Sequence, residues 1–354
     1  MKKQRVAIVR CDTHAYWYGV FMDECDPLVL ATSTPDAPTR EGVHHYFRAA
    51  GNPRQLAVRR VPGFVITKVY DRVGDREPNT TNPEELQYGT YPGRAIAFSE
   101  TFLSRPKVCD TLEEAVKDVD AAYLADSSSP HDGADHLRLA RPFLERGIPC
   151  FIDKPFASTL ADAQKMVRLA QKHGTVLMNA SILGHCDVGK QFQRRFSEIG
   201  KPGLLVVKGV GPGNAAVIHG VAAAQGLFGY GVESVECMGM LPLEQMLLYY
   251  PDGREAVVLN TPNRFFPRTC TFYISAYSNL GAIHSPGIGD GEFHTGTRRI
   301  VQLFRRMIET GKPPIPYEHM LEPIAIIEAA RIAQKTGKRV ALRDVYGASA
   351  RKRR

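Results

Sequence analysis

Apolar residues follow two rhythms along this chain. Early on, short β-branched and aromatic runs at 5–9 and 64–70 stand alone between polar residues. That is the pattern of strands buried on both faces of a parallel sheet. From residue 111 onward, strand-like and helix-like segments alternate. A helix opens at Thr111-Leu112-Glu113-Glu114, a strand covers 120–124, an amphipathic helix 132–146 and a strand 149–152. A helix over 160–173, closed by Gly174, and a strand over 176–179 complete the series. Strands separated by helices of about 10 to 15 residues make βαβ units. Right-handed crossovers wind such units into a doubly wound Rossmann domain.

Past residue 183 the texture becomes strand-rich, with segments at 203–210, 232–240, 246–250, 256–259 and 269–277 and a turn at Pro251-Asp252-Gly253. A mostly antiparallel sheet is expected. One helix (215–228) precedes most of it and two follow (292–309 and 319–336), the last stopped by Gly337. The predicted fold class is therefore α/β, with a Rossmann dinucleotide-binding domain over 1–182. An α+β domain over 183–354 serves substrate binding and oligomerisation, its last helix packing back on the first domain. No solenoid repeat is present.

Composition sharpens this only a little. A chain of 354 residues, 44% hydrophobic and 23% charged, is an ordinary globular protein with enough apolar residues for two cores. The net charge of +8 is spread along the sequence apart from a solvated Arg351-Lys352-Arg353-Arg354 tail. It predicts no nucleic-acid partner and suits an anionic small molecule such as a dinucleotide. Seven cysteines are widely spaced, with no C-x-x-C pair and no zinc-like spacing, so neither disulfides nor a metal are expected. The apolar segment after Met1-Lys2-Lys3-Gln4 is too short for a signal peptide or a membrane span. A cytoplasmic setting follows, with no membrane partner.

The turn after the first strand is the first place to look for chemistry. A Rossmann domain brings backbone N–H groups at a helix N-terminus to the pyrophosphate, and glycines allow the approach. Here the turn reads Arg10-Cys11-Asp12-Thr13-His14-Ala15, with Arg10, Asp12 and Ala15 in place of the three glycines. Arg10 can bind phosphate; Asp12 repels it unless its carboxylate caps the helix. A helix N-cap with no ligand is the alternative. Asp71 ends the second strand, where a carboxylate accepts from both ribose hydroxyls, selecting NAD over NADP. Neighbouring Arg72 suits a 2'-phosphate instead. A polar, Arg-rich insertion over 35–62 lengthens the spacing to Asp71.

The strongest local signal is Phe151-Ile152-Asp153-Lys154-Pro155-Phe156-Ala157. It resembles the acidic-Lys-Pro motif of the glucose-fructose oxidoreductase and inositol dehydrogenase family (Gfo/Idh/MocA). Asp135-His136 with Ala140, Leu144, Glu145 and Gly147 upstream is similar to that family's preceding helix. Downstream, Gly253, the helix from Glu292 and Thr336-Gly337-Lys338-Arg339-Val340 resemble its ending. The resemblance implies a divergent member whose Asp153-Lys154-Pro155 floors the active cleft. Lys154 would lie between nicotinamide and substrate, bonded to the hydroxyl that becomes a carbonyl. An ammonium there stabilises developing negative charge, and Pro155 locks the turn, with a cis peptide as one means.

The family's second catalytic position is a histidine within D-x-G-x-H-x-x-D. The match is His219, with Ala215 and Ala222 where the acidic residues would stand. A core histidine is the plain alternative. The resemblance thus implies Lys154 and His219 as catalytic residues, and Lys154, His185 and His219 facing substrate. Arg10, Asp12, Thr13, His14, Asp71, Arg72, Ser127, Asp153, Lys154 and Pro155 would line the NAD site, with NADP as the lesser choice. Tyr273, Tyr277 and His284 make one sheet face aromatic, for core packing or a subunit interface. The expected activity is hydride transfer between NAD and a hydroxyl or keto carbon of a sugar, sugar acid or cyclitol, in a homodimer or homotetramer. The alternatives are a ligand-binding relative without dehydrogenase chemistry, and a lyase or glycosidase using bound NAD transiently.

Overall fold

The computed structural model describes residues 3–32, 60–71, 94–125, 135–209, 211, 214–260 and 271–351. Two compact units divide the chain. The first comprises Met1–Ala157, Lys165–Ala180 and Thr297–Tyr317; the second comprises Ser158–Gln164, Ser181–Gly296 and Glu318–Arg354. Neither is contiguous in sequence.

The first unit is organised by β1 (Gln4–Val9), whose Val6, Ala7, Ile8 and Val9 are fully buried. Such a strand has no face to give to water, so it takes the middle of a sheet. It pairs in parallel with β2 (Phe64–Tyr70) on one side and β4 (Ala121–Leu124) on the other. β3 (Lys107–Val108) extends one edge; β5 (Cys150–Ile152) and β6 (Leu177–Asn179) extend the other. The order is β3-β2-β1-β4-β5-β6, all parallel, which makes the doubly wound sheet expected. The strand order reverses beside β1, and ligands of such sheets bind outside the carboxyl ends of the strands at that point.

Helix Thr13–Met22 follows β1 directly. His14, Ala15, Tyr16, Tyr18 and Gly19 through Met22 are all buried, so it is an internal helix rather than an amphipathic one. Aromatic rings pack around it: Tyr18 meets Tyr123 and Phe151 at 5.0 and 5.1 Å, and Tyr123 stacks on Phe151 at 4.6 Å. Full burial of rings of this size contributes roughly 1.5 to 3 kcal/mol each.

The second unit holds a seven-stranded sheet ordered β12-β11-β7-β10-β9-β8-β13. Its strands are β7 (Leu204–Lys208), β8 (Ser234–Met238), β9 (Gln245–Tyr249), β10 (Glu255–Leu259), β11 (Tyr273–Ser278), β12 (Gly281–His284) and β13 (Val340–Ala341). Only the β7–β10 pair is parallel, so the sheet is mixed and mostly antiparallel. Leu205, Val207, Ala256 and Val258 are buried on one face; Leu204, Val206, Val257 and Leu259 alternate with them, half-buried, on the other. Helix Asn214–Phe228 packs on the buried face, close enough that a Cβ on Gly220 would lie 2.5 Å from Val258 Cγ1.

The six described cysteines are free, and no described helix is long and apolar enough to cross a membrane. Residues 35–59 of the insertion, and the tail beyond Arg351, lie outside the described residues.

Candidate active site

Val9 ends β1, and the next residue turns the chain. Arg10 adopts φ 72°, the left-handed conformation that the first glycine of a Rossmann turn supplies freely. A side chain there costs roughly 1 to 2 kcal/mol, and the surroundings hold it in place. The Arg10 amide donates to the Tyr70 carbonyl at 2.7 Å, and the guanidinium donates to Asp135 Oδ2 at 3.0 Å. The expected phosphate ligand is thus 4% exposed and engaged by a carboxylate. Asp12 takes the capping alternative: its Oδ1 accepts from the His14 amide at 2.9 Å, at the N-terminus of helix Thr13–Met22. Ala15, in the third glycine position, is fully buried with only a methyl to accommodate.

His14 reaches a second part of the site. Its Nδ1 bonds Asp153 Oδ2 at 2.5 Å, and its ring stacks on Trp17 at 5.1 Å. Asp153 is fully buried after β5, and its Oδ1 has no hydrogen-bond partner among the described residues. Lys154 is buried, and the Lys154–Pro155 bond is cis. Three further contacts hold this turn. The Asp153 amide donates to the Leu124 carbonyl at 3.0 Å, and the Asn179 side-chain amide donates to the Ile152 and Asp153 carbonyls, both at 2.9 Å. Buried His136 Nδ1 lies 3.1 Å from the Phe156 carbonyl. The two sequence-adjacent residues Asp135 and His136 therefore tie the phosphate turn and the lysine turn to one helix.

Asp71 follows β2 with both carboxyl oxygens buried and without a hydrogen-bond partner of ordinary geometry among the described residues. Burial pushes its carboxyl up to about 6, against the pull of Arg94 and Arg10. The Cys11 amide, outside ordinary hydrogen-bond geometry, pulls the same way more weakly. Two buried acceptors with no donor in ordinary hydrogen-bond geometry among the described residues suit the paired hydroxyls of an adenosine ribose, so these residues fit a dinucleotide. Arg94, 2% exposed at the start of helix Arg94–Thr101, was not signalled by the sequence pattern, which gives no helix there. Arg72 and Ser127 lie outside the described residues; Thr13 is half-buried in the first helical turn.

The second unit carries His185 and His219. His185 ends a short 3-10 turn, Ile182–His185, and is half-buried. His219 lies on helix Asn214–Phe228, its Nδ1 2.8 Å from the Ser181 hydroxyl and its ring edge-on to Phe272 at 5.8 Å. Ser181 was not anticipated, because a partner 38 residues away leaves no local pattern. Cys186 is directed elsewhere: its thiol donates to the Ile182 carbonyl, and burial pushes it up to about 12. No group of three or more potential metal ligands occurs among the described residues. Tyr273 and Tyr277 are 43% and 36% exposed, which removes core packing as their explanation.

Fold and site together describe a two-unit α/β protein with a Rossmann sheet and a mixed second sheet. Solved structures share this fold at low sequence identity. Myo-inositol dehydrogenase from Lactobacillus casei, in complex with NAD(H) and myo-inositol, aligns with TM-score 0.65 at 14% identity over 96% of this chain and 97% of that one. An Agrobacterium radiobacter oxidoreductase, in complex with NAD+, L-tartaric acid and magnesium, gives 0.63 at 14% over 97% and 99%. Myo-inositol dehydrogenase from Corynebacterium glutamicum gives 0.62 at 14% over 96% and 99%. No curated protein sequence matches. Residues 78–181, which hold the Asp153-Lys154-Pro155 turn, match the Gfo/Idh/MocA oxidoreductase family, with its NAD-binding Rossmann fold.

Proposed function

We propose that the protein is an NAD-dependent dehydrogenase acting on a hydroxyl carbon of a sugar, sugar acid or cyclitol. The observation that carries the reading is the buried Asp153-Lys154-Pro155 turn, fixed by His14, Asn179 and His136 at the carboxyl edge of the Rossmann sheet. Lys154 donates to the reacting oxygen and stabilises charge developing on it. His219 accepts the hydroxyl proton. NAD, when bound, supplies the hydride acceptor. Asp71 holds the adenosine ribose, and its carboxylate disfavours a 2'-phosphate. His185 belongs to the substrate side of the same reading.

Titrating the purified protein with NAD and following its fluorescence tests the cofactor; no signal at millimolar NAD or NADP would end the proposal. Turnover with NAD and a panel of cyclitols and sugar acids tests the reaction. Lys154→Ala is expected to lower kcat by about 100-fold or more while leaving the dissociation constant of NAD within a few-fold. A second reading, a ligand-binding relative without redox chemistry, draws on Asp12, whose carboxylate already occupies the helix amide that a pyrophosphate would use. It predicts a folded protein with no nicotinamide signal. A reducing, cytoplasmic setting and a homo-oligomer built on the half-buried face of the second sheet belong to the first reading.

A further inference from the structure

We infer that Ser181 is the residue that positions His219, in place of the acidic neighbours its helix lacks. The Ser181 hydroxyl is 2.8 Å from His219 Nδ1, and Ser181 is 8% exposed. On the helix itself, positions 215 and 222, one turn to either side of the histidine, are alanines. The structure supplies a partner from another segment, immediately before the 3-10 turn Ile182–His185.

Three glycine contacts fix that segment against its surroundings. A Cβ on Gly226 would lie 3.3 Å from the Gly184 Cα, and one on Gly184 would lie 3.3 Å from the Ala222 carbonyl oxygen. On Gly296 a Cβ would meet the Ile182 carbonyl oxygen at 2.6 Å and Cys186 Sγ at 3.0 Å. Approaches this close leave the turn and the helix little room to slide, so the Ser181–His219 distance is set by backbone packing rather than by a flexible side chain. Phe272, edge-on to the imidazole, limits rotation of the ring.

The chemical consequence follows from the partner's nature. A carboxylate accepts only and stabilises an imidazolium, whereas a hydroxyl donates or accepts and carries no charge. Ser181 thus holds the ring plane in either tautomer, without adding negative charge beside it. With an uncharged partner at Nδ1, stabilising the developing negative charge falls to Lys154. The inference rests on the proposed function for the role of His219 in turnover, but not for the hydrogen bond itself.

The test is nitrogen-15 NMR of the histidine side chains in the full-length protein, with His219 assigned through His219→Asn. Wild type and Ser181→Thr are expected to show the His219 Nδ1 resonance displaced by the hydrogen bond, and Ser181→Ala to lose that displacement. Ser181→Cys keeps the volume and weakens the bond, and should fall between, which covers a poorly folding Ala variant. With NAD and myo-inositol as probes, Ser181→Ala should lower kcat roughly tenfold with KM within twofold, and Ser181→Thr should restore it. Unchanged His219 signals in both Ser181→Ala and Ser181→Cys would overturn the inference. Absent NAD binding by the wild type would end the dehydrogenase reading alone, since the Nδ1 measurement does not depend on it.

Discussion

Asp12 and Asp71 are the two residues on which the dinucleotide reading makes its sharpest demands. Asp12 offers its own carboxylate to the His14 amide, so an incoming phosphate competes with an anion already in place. Asp12→Gly is expected to tighten NAD binding roughly three- to tenfold, measured by calorimetry. Stability should fall by only a few tenths of a kcal/mol, because glycine is itself a tolerated N-cap. Asp71 makes a demand on pH. Its folded value of about 6 lies above the ordinary carboxylate range, so the folded state holds the proton more tightly than the unfolded chain does. Its stabilising contribution is complete below about pH 4 and is lost as pH rises through about 6. Asp71→Asn should therefore gain thermal stability on the ligand-free wild type across that window, by at most about 3 kcal/mol for a shift of two units. Differential scanning fluorimetry from pH 4 to 7 checks it, and the same variant should bind NAD more weakly. Of these two, the location of Asp71 at a strand end was legible in the sequence. The capping role of Asp12 was one of two readings, and the burial of Asp71 beside Arg94 was not legible at all.

At the scale of elements, the strands and long helices declared themselves through periodicity. β1, β2, β4, β5 and β6 fall where the apolar runs are, and Gly174 and Gly337 end their helices at φ 63° and 66°. Shorter elements did not. Helix Arg94–Thr101 and helix Asp187–Arg194 are too brief for a stable hydrophobic stripe, and β3, β12 and β13 are edge segments defined by their partners. Helix Asn214–Phe228 was legible as a helix, but its closeness to β10 was not. Gly220→Ala would place a methyl 2.5 Å from Val258 Cγ1, on a stiff β-branched neighbour. Overpacking of about 1 to 3 kcal/mol outweighs the gain in helix propensity of about 1 kcal/mol. The variant should lower the urea midpoint, and it should disturb His219, one residue away.

For the whole molecule, the second sheet poses the question of a partner. Leu204, Val206, Leu247, Val257 and Leu259 line a half-buried face that Tyr273 and Tyr277 continue, exposed, onto β11. The apolar centre of this face, edged by Lys208, Glu236 and Glu255, suits a second copy of the chain. Light scattering at micromolar concentration is expected to give a dimer or tetramer, and Val257→Lys to shift it toward monomer; a wild-type monomer would remove the expectation. The doubly wound parallel sheet, the mostly antiparallel second sheet and the lysine turn could be read from the sequence, because hydrophobic period and local motifs are properties of neighbouring residues. Only the tertiary structure decided the partners: Arg10 with Asp135, His14 with Asp153, Asn179 with the lysine turn, Ser181 with His219. Those pairs join residues from 26 to 139 positions apart. A hydrogen bond at such separation is fixed by how sheets and helices pack, and local spacing carries no record of it.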